Sequence, residues 1–306
     1  MFLAVSLLAL SVGIGAGSLR AGTPANPLDK SASPIELVRA TVANEVAASD
    51  DSNSIKHMFS DHKTTPQGSQ TRIFVETRQA VAGITVAYND EPLTPEQLQA
   101  EEGRLAGISD NPDQLARRQR QQKEDADRTL RIVKALPEAF LYAYDGTETG
   151  TATLGKTGNP LLRLKFLPNP DYHPPSHVED VLIGMQGVLL IDPGARRIAR
   201  IDGTLSKEVS FGWGILGHLD KGGHFLVEQR DVGDDSWEVS RMTLNFAGRI
   251  LLFKSLSIRS DEVFSDFRRV PNDTTFAQGV EMLKAEEAKL AENHKSGSAA
   301  TGPKAH

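Results

Sequence analysis

The sequence predicts a mainly β protein of the α+β class, with a large curved antiparallel sheet or half barrel of about ten strands. An N-terminal helix, a helical insertion and a C-terminal helix complete the prediction. Short segments of alternating polar and apolar residues recur along most of the chain, and turn residues separate them at hairpin distances. Parallel neighbours would require crossover segments, and the strand-like runs lack them, so we expect antiparallel pairing. A sheet of this size is expected to curl.

The first predicted elements are a helix and three strands. Ser33 suits an N-cap and Pro34 the first helical position, and an apolar stripe continues to about Ala48. A loop with Pro66 and Gly68 then joins the first two strands as a hairpin. The three predicted strands are 54–63, 70–78 and 84–88.

A charged segment at residues 94–135 interrupts this strand pattern. Pro112 separates two helical stretches, and only the end of the second has an apolar side, with Leu130, Val133 and Leu136. We therefore predict a surface helical pair inserted into the β region, with opposite charges on neighbouring turns. A basic helix that faces a membrane is the alternative.

From residue 139 the pattern is β almost to the end of the chain. Asp192-Pro193-Gly194 and Gly233-Asp234-Asp235 predict tight turns, and Ala247-Gly248 is interpreted as a further turn. A helix at 275–292 and a disordered polar tail at 293–306 are predicted to follow. The predicted strands are 140–144, 161–167, 184–191, 196–205, 225–232, 237–246, 249–258 and 263–269.

The N-terminal segment 1–21 is typical of a secretory signal. Its apolar run is shorter than a membrane span, and Ala16-Gly17-Ser18 or Leu19-Arg20-Ala21 suits a cleavage site. No Lys or Arg precedes the run, so a retained anchor is the first alternative and a buried helix the second. Residues 22–33 are predicted to form a linker, and 34–292 a single β domain with the insertion at 94–135.

Composition and charge exclude several classes of function. The chain has no cysteine, which excludes disulfides, thiolate metal sites, cysteine nucleophiles and lipid acylation of a cysteine. A formal net charge of −6 argues against nucleic acid as a partner. No catalytic motif was found, so we expect a non-enzyme without a cofactor.

The segment 150–157 is a complete match to the G-x-x-x-x-G-K-T pattern of phosphate-binding loops. Such a loop must open a helix, yet Gly158-Asn159-Pro160 and a strand-like run follow it directly. We therefore predict a hairpin loop and no nucleotide.

Histidines raise the question of a metal site. His218 and His224 flank Asp220, and His173 and His177 bracket two prolines, at spacings that zinc sites use. Further ligands are needed and the sequence does not identify them. We therefore predict turn and surface histidines, and no metal.

The segment 211–219 combines large apolar residues with three glycines. It is too flexible for a good strand and too apolar for an exposed loop. A movable flap over an apolar cavity and a membrane-touching tip are two interpretations, and a buried strand with a bulge is the third. The cavity or flap candidates are Phe211, Trp213, Ile215, Leu216 and Leu219.

The predicted helix, hairpins and signal together resemble the LolA/LolB-like superfamily of envelope lipoprotein carriers. The segment 187–193, which ends in Ile191-Asp192-Pro193, and the following Arg197-Ile198-Ala199-Arg200 resemble a strand, Asp-Pro turn and strand hairpin of that family. The resemblance implies a half barrel whose apolar concave face, covered by helices, holds acyl chains. The charged segment 94–135 and the lack of an acylated cysteine differ from the family pattern.

The function that follows is an exported periplasmic or cell-envelope protein that binds a lipid or a lipoprotein acyl moiety in an apolar cavity. The alternative is a non-catalytic envelope module that binds a partner protein through its sheet edge or its charged helices.

Overall fold

The computed structural model describes residues 33–49, 54–211, 217–250 and 254–300. The predicted signal segment, the predicted linker up to residue 32 and the end of the predicted tail from residue 301 lie outside these residues.

Four α-helices and thirteen strands form the described part of the chain, which confirms the mainly β, α+β prediction. The helices are α1 (Pro34–Ser49), α2 (Pro95–Ser109), α3 (Pro112–Ala139) and α4 (Phe276–Ala300). The strands are β1 (Lys56–Thr65), β2 (Gly68–Val75), β3 (Ala82–Tyr88), β4 (Glu91–Pro92), β5 (Phe140–Thr149), β6 (Pro160–Pro168), β7 (Met185–Asp192), β8 (Arg197–Leu205), β9 (Val209–Phe211), β10 (Gly217–Leu219), β11 (His224–Gly233), β12 (Ser236–Ile250) and β13 (Lys254–Val270).

Three predicted boundaries near the C-terminus are wrong. Strand β13 runs from Lys254 to Val270 without a break, although two strands, 249–258 and 263–269, were predicted there. Helix α4 continues to Ala300 rather than ending at Glu292. Strand β12 runs through Ala247-Gly248 instead of turning there. Gly248 lies where β10 pairs closely with β12. A Cβ at Gly248 would lie 2.1 Å from the backbone oxygen of His218 in β10. The glycine therefore admits a neighbouring strand rather than a turn.

The chain divides into two compact units, and α3 and β13 contribute residues to both. The first unit comprises Met1–Ile55 and Lys123–Val263, and the second comprises Lys56–Gln122 and Phe264–His306. In the second unit the strand order is β4-β3-β2-β1-β13. One side of these strands packs on helices: Ile73 and Ile84 share a buried cluster with Leu105 of α2 and Leu283 of α4.

The other side of the second unit's strands carries an aromatic cluster. Phe59 and Phe74 are directly paired across β1 and β2, and their ring centroids lie 5.4 Å apart. Phe59 also stacks on Phe267 of β13 at 5.4 Å. Aromatic contacts of this kind add to the stabilisation that burial of the rings provides.

In the first unit the strand order is β13-β12-β11-β8-β7-β6-β5. The defined pairs are antiparallel, as predicted, and the Asp192-Pro193-Gly194 turn joins β7 to β8. The short strands β9 and β10 pair with each other, and β10 pairs with β12.

Replacing Gly248 with alanine should lower the free energy of unfolding by about 1–3 kcal/mol, because the new Cβ meets backbone that cannot move freely. Chemical denaturation measures the change. The matched control is Gly103→Ala in α2, where no atom lies within 4 Å of the new Cβ. Helix propensity predicts that this control stabilises the protein by roughly 0.5–1 kcal/mol. Equal effects of the two variants would refute the close-approach role of Gly248.

Candidate functional site

One side of the first unit's sheet is lined by apolar residues from four neighbouring strands. Directly paired residues of an antiparallel sheet point to the same side. Leu189 pairs with Ile201, Ile201 with Val227, and Val227 with Met242. The next row holds Gly187, Gly203, Phe225 and Leu244. We call this side, defined by these two rows, the apolar face.

Helices α1 and α3 cover part of the apolar face. Val38 and Val42 of α1 and Leu136 and Ala139 of α3 share one buried cluster with Leu189. Apolar residues of α1 at spacings of three and four residues form the stripe that such packing requires. The helix periodicity in the sequence therefore predicted which side of α1 is buried.

A buried ion pair joins α1 to β8. Glu45 accepts hydrogen bonds from Arg197 Nε at 3.0 Å and from the backbone N of Ile198 at 2.8 Å. The Arg197 side chain is only 2% exposed and its guanidinium lies 5.5 Å from the centre of the Trp237 ring. In the described part of the chain, Arg197 Nη1 and Thr41 Oγ1 are buried without a hydrogen-bond partner.

Glycines on the apolar face make room for large neighbouring side chains. A Cβ at Gly203 would lie 2.5 Å from Met185 Sδ, and one at Gly223 would lie 2.5 Å from the Phe246 ring. Any side chain at these positions would displace the neighbour. The glycines therefore determine how the Met185 and Phe246 side chains lie on the sheet.

Several apolar side chains at the border of this cluster stay partly exposed to solvent. Phe225 of β11 and Phe246 of β12 are half-buried against the cluster, and so are Phe211 and Leu219 of the β9–β10 hairpin. Phe211 and Leu219 were candidates from the sequence, and the structure brings both to this cluster. The other three candidates, Trp213, Ile215 and Leu216, lie outside the described residues. Sequence reasoning missed Phe225 and Phe246. The alternation of polar and apolar residues around them predicts a strand, but it does not predict which strands and helices lie beside that strand.

The opposite side of the same strands carries several ion pairs. Arg163 of β6 contacts Asp145 at 2.9 Å and Glu148 at 2.8 Å. Arg200 of β8 contacts Glu148 at 3.1 Å and Glu228 of β11 at 2.7 Å. Hydrogen bonds from Lys165 and Arg163 lower the pKa of the Asp145 carboxyl. This side of the sheet thus combines ion pairs with a second buried apolar cluster, which includes Leu190 and Trp237.

The G-x-x-x-x-G-K-T segment lies in the connection between β5 and β6, and a strand rather than a helix follows it. Its Lys156 Nζ contacts Asp235 at 3.0 Å and Asp231 at 3.3 Å. The hydrogen bonds that Lys156 donates to these two carboxylates raise its pKa. Two aspartates therefore hold the lysine that a phosphate-binding loop would direct at a nucleotide.

The histidines singled out from the sequence have separate neighbours. His224 Nε2 lies 2.9 Å from Asp202, whereas His218 Nε2 lies 3.3 Å from Asp220. His177 Nδ1 lies 2.9 Å from Asp180 in the loop before β7. His218 and His224 therefore do not share Asp220 as a partner.

Comparisons with known proteins give one match to report. No family model and no curated protein matches the chain. The chain is similar to a solved domain of an outer membrane lipoprotein-sorting protein from Vibrio parahaemolyticus. The sequence identity is 11% and the TM-score is 0.27. The match covers 80% of this chain and 97% of that domain. Its description names the same kind of protein as the sequence resemblance does.

Among the helices that the structure describes, none combines the length and the apolar character that a membrane span requires.

Removing the Glu45 carboxylate should destabilise the protein strongly. Glu45→Ala leaves the Arg197 charge buried without its carboxylate, which costs about 3–5 kcal/mol in comparable cases. The control is Arg39→Ala on the same helix, whose pair with Glu138 has side chains 56% and 67% exposed. An exposed pair contributes less than about 1 kcal/mol. Thermal and denaturant unfolding of both variants measure the difference, and similar losses would contradict a special role for the buried pair.

Proposed function

We propose that the protein binds a lipid or a lipoprotein acyl chain on the apolar face of its first unit. The observation that carries the proposal is the group of half-buried apolar side chains that pack against the helix-covered cluster, among them Phe225 and Phe246. An apolar guest that covers these side chains removes apolar surface from water, which favours binding. The resemblance of the sequence to lipoprotein carriers supports the same ligand class. We propose a binding role without catalysis.

Binding should depend on the border residues of the apolar face. Phe225→Ser or Phe246→Ser should weaken binding of a fluorescent fatty acid by roughly thirtyfold, which corresponds to about 2 kcal/mol of lost apolar burial. Fluorescence titration of the purified protein gives the dissociation constants. Native mass spectrometry identifies any lipid that co-purifies.

The matched control is Leu141→Ser in β5. Leu141 is 56% exposed, and its neighbours Phe140 and Tyr142 belong to the buried cluster, so Leu141 points to the opposite side of the sheet. This variant should bind the probe like the wild-type protein. Failure of the wild-type protein to bind the probe, or equal weakening by Leu141→Ser, would reject lipid binding on the apolar face.

A second candidate function, binding of an envelope partner protein, is supported by one exposed pair. Leu141 and Leu167 are directly opposite each other on β5 and β6, and each is 56% exposed. Strand β5 is last in the strand order, so the pair lies beside a sheet edge. Cross-linking in bacterial envelopes should then give a cross-linked product with a partner protein. The double variant Leu141→Ser, Leu167→Ser should abolish this product, and Phe225→Ser should not.

We also propose export, on the strength of the signal-like segment 1–21. The mature protein should then begin after Ser18 or after Ala21, because Ala16-Gly17-Ser18 and Leu19-Arg20-Ala21 each end in a small residue that suits cleavage. Intact mass measurement of the protein from the periplasmic fraction distinguishes these two masses from that of the full chain. The full-length mass would support a retained anchor instead.

A further inference from the structure

Three possible metal ligands meet at the base of the β9–β10 hairpin. Glu208 immediately precedes β9, His218 lies in β10 and Asp220 immediately follows β10. One ligand atom from each of the three side chains lies within 4.8 Å of the other two. His218 Nε2 lies 3.3 Å from Asp220 Oδ1.

The hairpin register explains why these side chains share one side. Val209 pairs with Leu219, and Ser210 pairs with His218. Continuing this register by one residue places Glu208 opposite Asp220. Residues two apart in a strand point to the same side. The side chains of His218, Glu208 and Asp220 therefore lie on the same side of the hairpin. Val209 and Leu219 point the other way, into the buried cluster.

The backbone that carries His218 is held on both sides. It pairs with β9 through Ser210 and with β12 through Arg249. Gly248 lets β12 approach the backbone oxygen of His218 closely, since it carries no Cβ. A ligand group on a strand that is fixed at two edges needs little reorganisation to bind an ion.

The charge of the cluster calls for a cation. Two carboxylates directly opposite each other repel, which destabilises a strand pair. In the described part of the chain, neither Glu208 nor Asp220 has an ion pair with Lys or Arg. The Glu208 side chain contacts Ser210, and the Asp220 side chain contacts His218. A bound divalent ion would offset this repulsion.

We propose that Glu208, His218 and Asp220 bind a divalent transition-metal ion of the zinc type. Zinc binds imidazole nitrogen and carboxylate oxygen, and three protein ligands leave the fourth position to water. Magnesium and calcium prefer all-oxygen ligands and suit the imidazole poorly. The side chains of His218 and Asp220 are 27% and 51% exposed, so an ion reaches them from solvent. The ion is independent of the lipid proposed for the apolar face.

Isothermal titration calorimetry of tag-free protein with zinc chloride tests the proposal. We expect one ion per chain with a dissociation constant in the micromolar range or below. His218→Asn and Glu208→Gln should each weaken zinc binding at least tenfold. Cobalt(II) should give visible absorption bands at the same stoichiometry, and excess magnesium or calcium should not displace zinc.

His224→Asn is the matched control, because His224 forms a histidine–carboxylate pair with Asp202 outside this three-residue cluster. It should leave zinc affinity unchanged. The proposal is overturned if the dissociation constant of zinc from the wild-type protein is in the millimolar range or above. It is equally overturned if His224→Asn weakens binding as much as His218→Asn does.

Discussion

The first unit depends on how its N-terminal helix is attached to the sheet. Apolar contacts of Val38 and Val42 hold α1 against the cluster but allow it to slide, because hydrophobic attraction has no direction. The Glu45 carboxylate adds direction, since it accepts hydrogen bonds from both the Arg197 side chain and the Ile198 backbone. A charge pair out of water tolerates little misplacement. The position of α1 then decides which part of the apolar face is covered and which part stays available.

The two sides of the first unit's sheet have different roles because their side chains alternate along each strand. On one side, Phe225 and Phe246 extend an apolar cluster to solvent. On the other side, Arg163 and Arg200 each contact two carboxylates. These part-buried pairs place charged groups on that side of the sheet. The apolar face therefore carries partly exposed aromatic rings, whereas the opposite side combines ion pairs with the buried cluster around Leu190.

The sequence predicted the class, the first helix and the hairpins well, because these follow from local periodicity and turn chemistry. The Asp192-Pro193-Gly194 turn is an example, since proline and glycine impose the backbone bend themselves. The turn predicted at Gly248 was wrong because glycine occurs both in turns and where two strands approach each other closely. The partner of Arg197 lies 152 residues away in the chain, a distance over which periodicity carries no information.

The candidate sites were predicted less completely for the same reason. Phe211 and Leu219 stood out by composition, whereas Phe225 and Phe246 gain their role only from the neighbours that strand order provides. Asp220 was considered with His218 and His224, yet Glu208 escaped notice because the β9–β10 register was unknown. The structure supplies Glu208 and assigns His224 to Asp202.

The connection between β5 and β6 has a consequence for genome annotation. A scan that compares letters alone assigns nucleotide binding to residues 150–157, although Lys156 is neutralised by Asp231 and Asp235 from a distant hairpin. In chains that carry this string before a proline and a strand, as in this one, the loop opens no helix. Requiring a helix-compatible segment after the lysine would separate such chains from phosphate-binding loops, because those loops open a helix.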